Sequence, residues 1–118
     1  MTIRRMKTYA GGQGYVYQYY FVGKRPGQDT QKPSTEYIFD VTSDRKTTYS
    51  VSVFVEQDAL RTWTQSHGRS PSEAEEYAAA KMRLFQAFDE VEDMKDAGRS
   101  LIVDQEILAT AFAMLGVD

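Results

Sequence analysis

The hydrophobic pattern divides the chain into a β-rich first half and a helical second half. Apolar and polar residues alternate over residues 35–43 and 47–56, and aromatic and β-branched residues crowd residues 15–22, which is typical of strands with one buried face. From about residue 58, apolar residues recur every three or four positions, the spacing that places side chains on one face of a helix. This order predicts an α+β domain with helices packed on an antiparallel sheet.

The two strands at 35–43 and 47–56 predict their own register. If residues 44–46 form a three-residue hairpin loop, three apolar pairs share one face of the hairpin: Val41 with Tyr49, Phe39 with Val51, and Tyr37 with Val53. The opposite face is then mainly polar. A shift by one residue would place Phe39 beside Ser50, so the buried face selects this register.

Residues 15–22 predict the strand before this hairpin. Alternation places one set on the inner face, Tyr15, Tyr17, Tyr19 and Phe21, and the other set on the outer face, Val16, Gln18, Tyr20 and Val22. A glycine-rich turn at 11–14 precedes the strand, and residues 2–9 form at most a weak, basic edge strand. Residues 23–34, with two prolines and two glycines, are predicted to be a polar loop.

The second half predicts a short helix over 58–66, a long helix and a terminal helix. Ser70, Pro71 and Glu73 provide an N-cap, a first-turn proline and a capping box, and the long helix continues to about Asp96, before Gly98. Residues 101–103 are a strand or an apolar docking segment. Asp104 caps the last helix, residues 105–115.

The predicted fold is therefore a single α+β domain spanning residues 1–118, β-rich over 1–56 and helical over 57–118. It has two layers: an antiparallel sheet of three to four strands, packed on one face by a long helix plus shorter helices.

Composition excludes several kinds of site. The 118 residues include no cysteine and one histidine, which excludes disulfides, thiolate zinc centres, iron–sulfur clusters and multi-histidine metal sites. We expect no metal and no cofactor, and we assign no catalytic residue. No apolar run is long enough to span a bilayer, and the basic start lacks the apolar core of a secretory signal. We therefore expect a cytoplasmic protein without a membrane partner.

Excess apolar surface indicates an interaction protein. The terminal helix is apolar nearly all round, which requires burial on most sides, and three apolar residues occupy the outer face of the strand at 15–22. The candidate interface residues are Val16, Tyr20, Val22, Ile107, Phe112 and Met114. The leading hypothesis is a small non-enzymatic interaction or regulatory protein that acts through protein–protein contacts, as a homodimer.

Charge asymmetry supports a second hypothesis. Residues 1–50 hold 8 Lys/Arg and 4 Asp/Glu, a net charge of +4, whereas residues 51–118 hold 6 and 13, a net charge of −7. The basic half could contact nucleic acid through Arg4, Arg5, Lys7, Lys24, Arg25 and Lys32. The overall charge of −3 is more acidic than most such proteins have, so nucleic acid is not the favoured partner.

A third hypothesis is a ligand-binding protein or small enzyme with a pocket between sheet and helices, using tyrosine, aspartate or His67. His67 lies at a helix end, where the helix dipole favours histidine without any function. The turn at 11–14 lacks the Gly-Lys-Ser/Thr ending of a phosphate loop. An acidic stripe on the long helix, formed by Asp89, Glu92, Asp93 and Asp96, is interpreted as a solvated face.

Overall fold

A computed structural model describes residues 6–118, which form five strands and four helices. In chain order these are β1 Lys7–Ala10, β2 Val16–Pro26, β3 Ser34–Thr42, β4 Tyr49–Glu56, α1 Gln57–His67, α2 Glu73–Glu90, α3 Met94–Ala97, β5 Ser100–Val103 and α4 Gln105–Leu115. The α+β class predicted from the sequence is confirmed.

The sheet has the strand order β1-β2-β3-β4-β5. The first three pairings are antiparallel, but β5 runs parallel to β4. The prediction of an antiparallel sheet of three to four strands is therefore wrong in strand number and direction. The reason is the crossover through α1, α2 and α3, because a long connection of this kind lets the chain return in the same direction as β4.

The predicted hairpin register is confirmed. Val41 pairs with Tyr49 and Phe39 with Val51. In the connecting loop, Asp44 accepts hydrogen bonds from two following backbone amides at 2.8 Å each, and these bonds hold the pKa of its carboxyl below the usual value. The loop geometry and the buried face thus select the same pairing.

The core lies between the sheet and the helices and is rich in aromatic rings. Tyr17 stacks on Phe88 with ring centroids 4.2 Å apart, and Tyr17, Phe39 and Leu84 are all buried. Tyr17 and Tyr19 are buried on the inner face of β2, as alternation predicts. Tyr15, predicted on the same face, is instead 46% exposed, because it precedes β2 and lies at the edge of the sheet. Offset and stacked aromatic pairs of this kind add to the free energy gained by burying their area.

Three predicted boundaries are wrong. β2 continues to Pro26 across an irregularity between Phe21 and Gly23, so part of the predicted loop at 23–34 is strand. α2 begins after the N-cap Ser72, which forms a capping box with Glu75, rather than after Ser70. It ends at Glu90 instead of running to residue 96, because Val91 is extended and Asp93 caps α3 instead.

Candidate functional site

A half-open groove lies between α2 and α4, with a volume of about 500 Å³. Its lining combines an apolar floor with a charged rim. The lining residues are Tyr9, Met82, Arg83, Phe85, Gln86, Asp89, Glu90, Glu106, Ile107, Thr110, Ala111 and Met114. We call this feature the α2–α4 groove. Its volume falls in the range of specific binding sites for small molecules or side-chain anchors.

Helical periodicity positions both walls. The α2 wall uses positions 82, 83, 85, 86, 89 and 90, and the α4 wall uses 106, 107, 110, 111 and 114, the three-and-four spacing of a single helix face. Asp104 caps α4 by accepting a hydrogen bond from the Ile107 amide at 2.9 Å. The cap places Ile107 in the first turns of the helix and directs it into the groove.

Tyr9 of β1 closes one end of the groove. Its ring stacks on Phe85 with centroids 4.4 Å apart and an interplanar angle of 7°. Its hydroxyl donates to Asp89 at 2.8 Å, and the other oxygen of Asp89 accepts from the Gly12 amide at 3.0 Å. Burial, together with the Asp89 carboxylate, raises the pKa of Tyr9. The β1–β2 turn is thereby attached to the last turn of α2.

The rim of the groove is acidic. Neither Glu90 nor Glu106 has an ion-pair or hydrogen-bond partner within residues 6–118, whereas both oxygens of Asp89 are occupied. Among the described lining residues the single cation is Arg83, whose Nε donates to the Ile102 carbonyl at 3.0 Å. Three carboxylates against one guanidinium give the groove a negative potential that favours cationic groups.

The structure separates the predicted interface residues on the terminal helix. Ile107 and Met114 line the α2–α4 groove, and Met114 is 72% exposed. Phe112, in contrast, is only 1% exposed and packs edge-on against Trp63 at 5.1 Å. Phe112 therefore belongs to the core and offers no surface to a partner, because α1 covers the face of α4 on which it lies.

The other predicted interface residues lie on the sheet face opposite the helices. Val16 and Val22 are exposed there, Tyr20 is half-buried, and Ile102 of β5 is exposed at the far edge. None of these four residues lines the α2–α4 groove. The six predicted interface residues thus divide among an open sheet face, a groove and the core.

Of the four predicted nucleic-acid residues that the structure describes, two form ion pairs within the protein. Arg4 and Arg5 lie outside the described residues. Lys24 pairs with Glu73 at 3.6 Å, and Arg25 binds Glu36 through two hydrogen bonds of 2.9 and 3.4 Å.

Two further basic residues of that set are accessible. Lys32 is exposed in the loop after β2, and Lys7 is exposed on β1. Burial and the neighbouring Lys7 ammonium lower the pKa of Lys81, so Lys7 has a like charge beside it. Lys24 and Arg25, in contrast, already have carboxylate partners and would contribute little to counterion release on binding nucleic acid.

The remaining candidates have structural roles. His67 ends α1, with its ring stacked 4.1 Å from Trp63 and its Nδ1 2.9 Å from the Trp63 carbonyl oxygen. The predicted acidic stripe is broken, because Asp89 lies in the last turn of α2 whereas Asp93 caps α3. Within residues 6–118, no cluster of three or more histidine or acidic residues could hold a metal ion.

Sequence analysis missed the α2 wall and Tyr9. A signal was present, since Met82 and Phe85 recur at helical spacing and are followed by Asp89 on the same face. What the sequence does not indicate is that α4 stops short of covering them.

The comparisons give no family for this chain. No protein-family model matches it, and the searches of curated proteins and of solved structures found no significant match. Of the helices described within residues 6–118, none is long and apolar enough to cross a membrane. Functional inference therefore rests on the geometry of the sites.

Proposed function

We propose that the protein is a non-enzymatic interaction module, and that the α2–α4 groove binds a protein segment with apolar anchors flanked by basic residues. The observation that supports this proposal is the combination of an apolar floor with an acidic rim in a groove of about 500 Å³. An amphipathic helix lying in a hydrophobic groove is a common mode of peptide recognition.

The floor defines the apolar part of the partner. Phe85 and Met82 on α2 face Ile107 on α4 across the groove. The lined part of α2, from residue 82 to residue 90, is about 12 Å long at 1.5 Å per residue. That length accommodates about two turns of a partner helix, with two anchors one turn apart.

The rim defines the charge of the partner. Glu90 and Glu106 have no ion-pair partner in the described part of the chain, so a lysine or arginine beside the anchors gains an attraction without breaking an ion pair among residues 6–118. Exposed ion pairs contribute about 0.2–1 kcal/mol each. Two of them correspond to a preference of about twofold to thirtyfold over a peptide with acidic flanks.

The experiment uses two designed helical peptides of about twelve residues that share the same leucine anchors and differ only in lysine or glutamate flanks. Fluorescence anisotropy should show tighter binding of the lysine peptide, weakening as salt is raised. Glu90→Gln with Glu106→Gln should remove most of the difference. Equal binding of both peptides by the wild-type protein would contradict the charge argument.

Groove occupancy is tested by a matched pair of variants on α4. Thr110 is exposed within the groove, whereas Ala113 is exposed on the same helix outside it. Thr110→Arg should abolish binding of the lysine peptide, because the new side chain fills the groove and neutralises its rim. Ala113→Arg should leave peptide binding unchanged, and loss of binding in both variants would argue against the groove as the site.

Self-association is the second candidate function. After Glu106, α4 carries no charged side chain, and Ala109 and Ala113, which do not line the groove, are exposed on it one turn apart. Small residues there allow close approach of a second helix, so a homodimer through α4 is geometrically reasonable. Sedimentation velocity should show a dimer that Ala113→Arg dissociates. A monomer at concentrations up to about 100 μM would end this hypothesis.

A further inference from the structure

A second concave site lies at the end of the sheet where the β3–β4 hairpin meets the segment between α2 and α3. It has a volume of about 380 Å³ and is lined by Tyr15, Tyr17, Ser43, Tyr49, Glu92, Asp93, Met94 and Lys95. We call it the tyrosine cleft. It shares no lining residue with the α2–α4 groove.

Sheet geometry brings two tyrosines to the floor of the cleft. Tyr49 pairs with Val41 on β3, and Val41 pairs in turn with Tyr19 on β2. Tyr17 lies two residues from Tyr19, on the same face of β2. Tyr17 and Tyr49 therefore flank the end of β3 from opposite sides, with Ser43 between them.

Both floor tyrosines are buried except where they reach the cleft. Tyr17 is 2% exposed and Tyr49 is 7% exposed. Neither hydroxyl has a hydrogen-bond partner among residues 6–118. Neither hydroxyl is among the fully buried atoms without a partner, so both open to the cleft. Each is a donor and acceptor available to a ligand in place of solvent.

Electrostatics keep these hydroxyls protonated. Burial raises the pKa of Tyr49 to about 12, with contributions from Tyr17 and Asp93. Burial also raises the pKa of Tyr17, and Tyr15 and Asp93 add to the effect. The floor therefore offers phenol hydroxyls rather than phenolates at any physiological pH.

The rim adds groups of both charges. Glu92 and Asp93 accept hydrogen bonds, whereas Lys95 donates them, and the Arg99 guanidinium lies 5.8 Å from the centre of the Tyr49 ring. No single sign of charge dominates, so neither a strong anion nor a strong cation is selected. A ligand that satisfies these groups must donate and accept at several positions, which is the property of hydroxyl groups.

We propose that the tyrosine cleft binds a neutral polyhydroxylated molecule of about the size of a monosaccharide. Tyr17, Tyr49 and Ser43 would hydrogen-bond its hydroxyls from below, and Asp93 and Lys95 would do so from the rim. Tyr15, which is 46% exposed at the edge, offers its ring face to the apolar C–H face of a sugar ring.

The test is a titration of the full chain followed by amide NMR. The probes are the neutral methyl glycosides of glucose, galactose and mannose, with tetramethylammonium and inorganic phosphate as the cationic and anionic alternatives. At least one glycoside, at up to about 50 mM, should shift amides at residues 15–17, 43 and 92–95 with millimolar affinity or better.

Matched variants separate binding from folding. Tyr17→Phe and Tyr49→Phe should each weaken glycoside binding about twofold to tenfold, the value of one neutral hydrogen bond. Tyr19→Phe is the control, because Tyr19 is equally buried on the same strand but lies outside the cleft. Tyr15→Ala, at an exposed site, tests ring stacking without disturbing the core.

Three results would overturn the proposal. The first is the absence of glycoside-induced shifts at the cleft over the whole concentration range. The second is shifts from tetramethylammonium or phosphate alone, which would mean that the cleft is a charge site. The third is glycoside binding that Tyr17→Phe and Tyr49→Phe leave unchanged. None of these results bears on peptide binding in the α2–α4 groove, so the two proposals fail independently.

Discussion

Gly11→Ala is the substitution that most directly tests how the β1–β2 turn is joined to α2. A Cβ atom at Gly11 would lie 2.5 Å from the Phe88 carbonyl oxygen and 3.2 Å from a ring carbon of Tyr17. Real Cβ atoms essentially never approach a neighbour within 3.0 Å, so either the turn or the end of α2 must move by at least the difference between 3.0 and 2.5 Å.

Neither the β1–β2 turn nor the end of α2 can move without disturbing hydrogen bonds or core packing. The Gly11 amide donates to the Tyr15 carbonyl at 2.8 Å, and Asp89 holds the adjacent Gly12 amide. Phe88 is fully buried in the aromatic core. Overpacking of this kind costs about 1–3 kcal/mol, which corresponds to a fall in Tm of about 5–15 °C for a domain of this size.

Urea unfolding followed by Trp63 fluorescence measures this cost, because Trp63 is the single tryptophan and is buried. Gly23→Ala is the matched control, since a Cβ at Gly23 meets nothing within 4 Å and its stability should be unchanged or slightly raised. If Gly11→Ala is as stable as Gly23→Ala, the close approach of the turn to α2 does not require a glycine at position 11.

Three further substitutions test how buried polar and apolar side chains contribute to the free energy of unfolding. Glu36→Gln should lower the free energy of unfolding by about 1–2 kcal/mol at neutral pH, because the hydrogen bonds from Arg25 hold the pKa of that carboxyl below its usual value. This stabilisation is present above the unfolded pKa and is lost as pH falls through the lower folded pKa, so the difference in urea unfolding should shrink progressively as the solution is acidified. Glu76→Gln should raise the free energy of unfolding by about 1 kcal/mol at neutral pH, since burial raises the pKa of Glu76 and folding then favours the protonated acid. The gain should disappear at low pH, where Glu76 is protonated in both states, and a gain independent of pH would contradict the reasoning. Phe112→Ala should destabilise the monomer by about 3–5 kcal/mol, whereas a surface role for Phe112 would leave urea unfolding unchanged and alter only association.

A buried polar pair explains why Glu76 is informative. The hydroxyl of Tyr37 and one oxygen of Glu76 are both buried without a geometrically sound hydrogen bond in the described chain. Each nevertheless influences the other: the Glu76 carboxylate adds to burial in raising the pKa of Tyr37, and the Tyr37 hydroxyl partly offsets the larger effect of burial, which raises the pKa of Glu76. A glutamine at this position offers both a donor and an acceptor and carries no charge to desolvate.

The candidate sites were only partly predictable. Ile107 and Met114, which line the α2–α4 groove, are predicted as interface residues because α4 is more apolar than one packed face requires. The same reasoning included Phe112 wrongly, since periodicity alone does not say which side of an apolar helix is covered. The tyrosine cleft was not predicted, because Tyr17 and Tyr49 are assigned to the core by alternation and only their hydroxyls reach the surface.

The sequence by itself determined the features that depend on near neighbours. The hairpin register, the inner face of β2 and the caps of α4 at Asp104 and Gly116 follow from alternation, turn chemistry and capping. Each of these involves residues close together in the chain, so the local pattern contains the information.

Only the tertiary structure decided where distant segments meet. Tyr9 and Gly12 bind Asp89 across 80 and 77 residues, and β5 joins β4 after a crossover of three helices. The groove and the cleft are spaces left where such segments fail to cover one another. Their shape depends on packing among several elements at once, and no single stretch of sequence specifies it.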